Sequence, residues 1–384
     1  MKSVLVVGAG LAGATYAREL AEAGLRVDVI DRRPHVSGNA FDEIDATGVR
    51  RHVYGPHLFH TSNERVWEWL TRFATFVPYE HRVSAFVGPV GRCVPLPVNR
   101  ATVNAVFGEA LAGADEVAGF LARLAIPHAA PRNGAEYLHA RIGITLTDLL
   151  FRPYTRRMWA LELEEIAVSV VQRIPIRHDD EDRYFPGDRH QGLPRGGYAE
   201  LAGRILDHPR IRVATGTPFA KTMLRSYDFC FASMPIDEYF DFVLGPLPYR
   251  SIRFHHRTEP LEYGLGATMQ VNFTDGGIYT RQDDWSRLPG HVVRNTGTKT
   301  VTLEEPCADS DNDMERYYPV KTSGGGPEAL YCRYQELAAR EPKIQFIGRC
   351  GTYRYLDMDQ VVNQSLQGVR AWLAAAAVRA RRDC

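Results

Sequence analysis

Residues 4–31 carry the clearest hydrophobic pattern in the chain. An apolar, β-branched run at 4–7 breaks into Gly8-Ala9-Gly10-Leu11-Ala12-Gly13, and residues 14–23 then have helical composition up to Gly24. A second apolar run, 26–30, ends on Asp31. Strand, glycine turn, helix and strand make a βαβ unit with its glycines where the strand becomes the helix. The spacing gives each residue a task. Gly8 turns the chain, Gly10 lets backbone approach a pyrophosphate at the helix N-terminus, and Gly13 lets helix and strand pack closely. Asp31 is placed to accept a hydrogen bond from a ribose hydroxyl. The unit predicts dinucleotide binding.

The elements beyond it follow other patterns. Arg32-Arg33-Pro34-His35-Val36-Ser37-Gly38-Asn39-Ala40 is an arginine-led, small-residue turn, which suits an FAD fold in which a second loop wraps the cofactor. Residues 344–347 predict a late strand followed by Gly348-Arg349, and Asp357-Met358-Asp359-Gln360 opens a helix running towards Arg381. In between, residues 99–150 are rich in Ala and Leu, with helical signals at 102–111 and 115–124. Residues 252–256, 269–273 and 291–294 alternate as antiparallel strands do. The expected class is α/β: an FAD-binding Rossmann-like domain with an inserted helical domain and an antiparallel β-sheet domain. We assign 1–78, 193–240 and 341–384 to the first, 98–164 to the second, and 79–97, 165–192 and 241–340 to the third.

Composition narrows the class of partner. With 384 residues, 45% hydrophobic and 24% charged, the chain is ordinary globular material. Its 46 basic and 46 acidic residues cancel, which excludes a protein that coats nucleic acid or an anionic membrane. Only five of the 46 bases are lysines, among them Lys2, and the other 41 are arginines, the better fork for oxyanions. Cysteines at 93, 230, 307, 332, 350 and 384 form no CxxC and no metal-ligand spacing, so we expect a reduced, cytoplasmic protein with no metal site. No run approaches the roughly 18 apolar residues of a membrane span.

Separated blocks then resemble the UDP-galactopyranose mutase family along nearly the whole chain. They are Gly38-Asn39-Ala40, Tyr54-Gly55-Pro56-His57-Leu58-Phe59-His60-Thr61, Tyr154-Thr155 with Trp159, and Arg173-Ile174-Pro175-Ile176-Arg177. Further matches are Gln191-Gly192-Leu193-Pro194 with Gly197-Tyr198, Tyr249-Arg250, Asn272-Phe273-Thr274-Asp275, Tyr279-Thr280-Arg281, Tyr317-Tyr318-Pro319, and Gly348-Arg349 through Tyr355-Leu356-Asp357-Met358. The resemblance implies a mutase that interconverts pyranose and furanose forms of a nucleotide-diphosphate sugar: UDP-galactopyranose, or a relative such as a 6-deoxy or N-acetyl sugar. It further implies FAD, active when reduced and forming a covalent flavin–sugar adduct, a reductant such as NAD(P)H, and a homodimer.

Roles follow by motif position. The resemblance places Gly8, Gly10, Leu11, Gly13, Asp31, Arg32, Gly38, Asn39, His57, Gly348, Arg349, Asp357 and Met358 at the cofactor. It places Tyr154, Trp159, Arg173, Arg177, Asn272, Tyr317 and Tyr318 at the substrate, with Arg177 on a mobile lid joined to the helical domain. His60, Arg250, Arg281, Tyr355 and Asp357 are the catalytic candidates. Alternatives stay open: a surface ion pair for each arginine, core packing for the aromatics, loop anchoring for His57 and an N-cap for Asp357. The chain departs from the family pattern at Gln282-Asp283-Asp284-Trp285, at Pro186-Gly187, at His190 and at Ala160. We expect those changes near the substrate. The competing activity is an FAD oxidoreductase of the amine oxidase type; a sugar-nucleotide binder without chemistry is the non-enzymatic alternative.

Overall fold

The computed structural model describes residues 3–382, so Lys2, Cys384 and the outermost ends of the first assigned domain lie outside the described residues. The N-terminal pattern builds β1 (Ser3–Val7), α1 (Leu11–Glu22) and β2 (Arg26–Ile30). These strands join a parallel five-stranded sheet in the order Ile211–Ala214, β2, β1, Phe229–Ala232, Ile344–Phe346. Two glycines make the turn physically possible. Gly8 sits at φ +101°, and a Cβ on Gly13 would lie 1.8 Å from the Gly8 carbonyl oxygen, so α1 rests directly on the end of β1. The long C-terminal helix, Met358–Arg382, packs beside α1. Val362, Leu366 and Val369 join Tyr16, Leu20 and Phe231 in one buried cluster.

A seven-stranded sheet forms the second layer, in the order Tyr318–Pro319, Tyr249–Pro260, Thr298–Ala308, Arg281–Asp284, Gln270–Phe273, Val83–Val87, Arg92–Leu96. It is antiparallel except where Gln270–Phe273 runs parallel to Val83–Val87. That pairing differs from the sequence expectation because its two strands are joined through the helical insertion, a crossover long enough to permit it. The alternating stretch 291–294 is not a strand. After Pro289-Gly290 it lies along the small hairpin Asp42–Ile44/Arg50–His52, with one isolated bridge, Val49–Val292, and a bond from Arg50 N to His291 O of 2.7 Å.

The insertion is a helical layer: Arg100–Phe107, Ala114–Leu124, Gly134–Leu146, a π-helical turn Thr147–Phe151, and Arg152–Trp159. Asn99 and Asn133 cap two of these helices, accepting from Thr102 N and Glu136 N. Leu121, Leu138, Ile142 and Leu146 bury against Val83, Val94 and Leu96 of the sheet. A three-stranded antiparallel sheet (Phe59–Thr61, His190–Pro194, Phe76–Pro78) completes the fold. No helix among the described residues is long and apolar enough to cross a membrane.

Candidate active site

A single cavity of about 970 Å³ runs from the glycine turn to the helical layer. At the glycine end its wall includes Gly8, Gly10, Leu11, Asp31, Arg32, Gly38 and Asn39. Gly10 is the N-cap of α1 and supplies no side chain, so the first-turn N–H groups keep no side-chain partner. Asp31 accepts from Ala9 N (2.7 Å) and Arg33 N (2.9 Å), which ties the β2 terminus to the turn. Arg33, which the sequence reading left without a role, is buried under the Tyr54 ring and pairs with Asn39 (2.8 Å) and Glu315. Ser37 Oγ is buried with no protein partner. Gly13 and Gly348 stand behind the wall; a Cβ on Gly348 would come within 2.9 Å of Ala12.

At the other end the wall is arginine and aromatic. Arg349 faces the Tyr318 and Tyr355 rings at 5.1 and 4.5 Å, and its buried Nε and Nη2 have no partner. Tyr318 and Tyr355 stack at 5.4 Å, and Trp159 meets Tyr318 edge-on at 6.2 Å. Arg173 covers the opposite side of the group, 3.8 Å from the Tyr355 ring, and donates to Asp357 (2.6 and 2.9 Å). Asp357 therefore spends its carboxylate on Arg173. Its backbone carbonyl starts the last helix, accepting from Val361 N, while Gln360 Oε1 accepts from Asp357 N as in half a capping box. Tyr154 lines the wall, with burial pushing its hydroxyl up to about 12, so it remains a donor. Asn272 also lines it, its Oδ1 buried and unpartnered.

Arg281 sits on this wall inside a buried polar chain drawn from several strands. It pairs with Glu304, its register neighbour. Oriented by its partners, Gln270 accepts from Arg281 Nη1 (2.8 Å) and donates to His81 Nε2 (3.1 Å). Burial opposes the Arg281 charge, but Glu304 more than offsets it, and the guanidinium stays cationic. Burial and the neighbouring Glu304 raise Asp283 well above the carboxylate range, so Asp283 is held neutral. Burial lowers His81 to about 3 and His57 to about 4, leaving both imidazoles neutral. His57 lines the cavity with Nδ1 bonded to Gly55 O (2.9 Å), and Met358 lies on the wall nearby. His60 lines it too, its Nδ1 on Asp188 (2.7 Å) and its ring stacked on Phe185.

Three candidates stand elsewhere. Arg250 donates to the carbonyls of Met158 (2.9 Å) and Arg157 (3.3 Å), holding the C-terminal end of the Tyr154 helix. Tyr317 is buried between Tyr54 and Phe254, behind the wall. Arg177 is outside the lining, with its backbone N on Val98 O (2.9 Å). The family departures are also off the wall. Asp284 pairs with buried Lys299 (2.6 Å), and Trp285 is fully buried with its Nε1 on Thr302 (2.7 Å). His190 stacks on Trp67 (4.5 Å), and Ala160 is the left-handed C-cap after Trp159. The expectation that these changes cluster around the substrate is therefore corrected: they repack the sheet and the small hairpin. His81, Gln270, Glu304, Glu315 and Asp188 entered the site without a motif; they are found through strand register and loop contact.

A glycine turn on a parallel sheet, joined by one cavity to an arginine- and tyrosine-lined end, defines a Rossmann-type dinucleotide enzyme with a separate substrate compartment. A family model for the NAD(P)-binding Rossmann-like domain matches residues 6–73, and one for UDP-galactopyranose mutase matches residues 149–355. A probable UDP-galactopyranose mutase from Klebsiella pneumoniae is 34% identical over 384 residues, covering 98% of this chain and 96% of that protein. A dTDP-fucopyranose mutase from Escherichia coli is 32% identical over 386 residues, covering 97% and 99%. The crystal structure of reduced UDP-galactopyranose mutase shares the fold at a TM-score of 0.75 and 16% identity, over 98% of this chain and 96% of that one. The chain belongs to the UDP-galactopyranose mutase family, and it is an isomerase.

Proposed function

We propose that the protein binds FAD along this cavity and interconverts the pyranose and furanose forms of a nucleotide-diphosphate sugar, either UDP-galactose or a close relative such as dTDP-fucose. The observation carrying this reading is the set of buried, unpartnered polar atoms on one continuous wall: Ser37 Oγ, Asn272 Oδ1, and Arg349 Nε and Nη2. Buried polar groups without partners are costly, and they fit a ligand that completes them. The glycine cradle, the bare N-terminus of α1, Arg32 and Asn39 fit the dinucleotide part of FAD.

Bound and reduced, the flavin supplies the nucleophile for the anomeric carbon, so the protein needs none of its own. The chain's residues bind and orient. Arg281 and Arg349 take the diphosphate as guanidinium forks, and Tyr318 and Tyr355 offer hydroxyls to it. Tyr154 and Trp159 flank the base and sugar. Arg177 joins the diphosphate when its segment closes as a lid. Arg250 acts at one remove, by fixing the helix that carries Tyr154.

The test is a product assay with reduced holoenzyme on UDP-galactose, dTDP-fucose and UDP-N-acetylgalactosamine. We expect a furanose isomer from at least one of them, no oxygen uptake, and little turnover by oxidised enzyme. Net substrate oxidation with oxygen uptake, and no isomer, would replace this reading with an amine oxidase-type activity.

A further inference from the structure

Three histidines line the cavity, and one is built unlike the others. His57 rests its Nδ1 on a backbone carbonyl, and His81 spends its Nε2 on Gln270. Neither has a carboxylate partner that would favour a protonated ring. His60 has one. Asp188 Oδ2 lies 2.7 Å from its Nδ1, while Asp188 Oδ1 accepts from Ser62 Oγ at 3.1 Å. The ring is clamped flat on Phe185 at 3.5 Å, and among the described residues its Nε2 has no hydrogen-bond partner. A carboxylate only accepts, so the neutral ring carries its proton on Nδ1 and presents Nε2 as a base. The other ionisable groups facing it are Asp359, held by Thr61 Oγ1 at 2.9 Å, and His81.

The reaction class requires such a group. Converting a hexopyranose into its furanose replaces the C1–O5 bond with a C1–O4 bond. O4 gives up a proton and O5 gains one, with no net oxidant or reductant. One residue that accepts from O4 and donates to O5 balances the exchange, and run backwards it serves the reverse direction. We propose that His60 is this proton carrier, accepting at Nε2, and that Asp188 is its positioning residue, fixing the tautomer and stabilising the imidazolium as a buried carboxylate does for a catalytic histidine. The inference rests on the mutase reading above.

Three holoenzyme variants test it: His60→Gln, Asp188→Asn and Asp188→Glu. His60→Gln should keep bound flavin and the affinity for UDP while kcat falls on the order of 10²-fold or more, the usual contribution of a general acid–base group. Asp188→Asn should lower kcat less, with KM unchanged, and imidazole-nitrogen NMR should show the His60 proton shared between Nδ1 and Nε2. Asp188→Glu should recover part of the rate and the Nδ1-protonated form. Unchanged kcat in His60→Gln, or a wild-type spectrum with the neutral proton on Nε2, overturns the assignment. If His60→Gln loses its flavin, the spectra of wild type and Asp188→Asn decide alone. Wild-type enzyme that makes no isomer refutes the mutase reading instead, whatever the spectra show.

Discussion

At the glycine turn the cavity wall is mostly backbone; at the helical layer it is side chain. The first end works by letting main chain come close, through Gly8, Gly13 and the uncapped start of α1. The second works by holding cations and rings in place through partners further back: Glu304 behind Arg281, Asp357 beside Arg173, and Tyr318 and Tyr355 under Arg349. A backbone-made wall tolerates almost no added atom, whereas a side-chain wall tolerates trimming but depends on charge balance. Substitutions at the two ends should therefore fail in different ways.

The largest effect belongs to the backbone end. Gly13→Val puts side-chain atoms where the Gly8 carbonyl already lies, and we expect a protein that purifies without flavin or fails to fold, read by visible absorbance and circular dichroism. At the other end, Arg281→Ala strands a fully buried Glu304, which should cost about 3–5 kcal/mol of stability. It should also remove roughly 2–4 kcal/mol of transition-state stabilisation from kcat/KM while flavin stays bound. Adding Glu304→Gln should restore the melting temperature but not the rate. Recovery of both would show that Arg281 acts only structurally.

Acid should find the substrate end next. His57 and His81 are neutral in the fold, with values of about 4 and about 3, whereas an unfolded chain protonates them near pH 6.5. The unfolded state then binds more protons, so stability falls as pH drops below about 6.5 and levels off near each folded value. Each histidine contributes a slope of up to about 1.4 kcal/mol per pH unit. Denaturant titrations of wild type and His57→Asn between these limits should differ by one such slope. The smallest effect is expected away from the wall: Trp285→Phe loses the bond to Thr302, worth about 1 kcal/mol, and leaves kcat unchanged. A changed kcat would return that departure from the family to the substrate site.

The backbone end was legible from the chain because its geometry is local: strand, turn and helix lie within residues 4–31, and each glycine has one steric reason to be there. The side-chain end was only half legible. Tyr154, Trp159, Arg281 and Tyr355 come from motifs, but their supports come from register. Glu304 stands opposite Arg281, and Gln270 opposite Asp283, across strands separated by loops of different length. Adjacency misled at residues 282–285. They follow Arg281 in sequence, yet they fold into the sheet interior, where Asp284 meets Lys299 and Trp285 meets His52. The 291–294 stretch misled for a related reason: alternation was satisfied by a loop lying along a hairpin instead of by a strand.

The π-helical turn at Thr147–Phe151 carries a consequence for how this site tolerates length changes. Such a turn holds one residue more than regular helix would, and the helix bearing Tyr154 and Trp159 begins immediately after it. Removing one residue there would let the turn relax into regular helix and rotate everything downstream by about 100°. Tyr154 and Trp159 would then point away from the cavity without any substitution among them. The aromatic end of the site is thus set by a phase, kept by a count of residues upstream of the rings themselves.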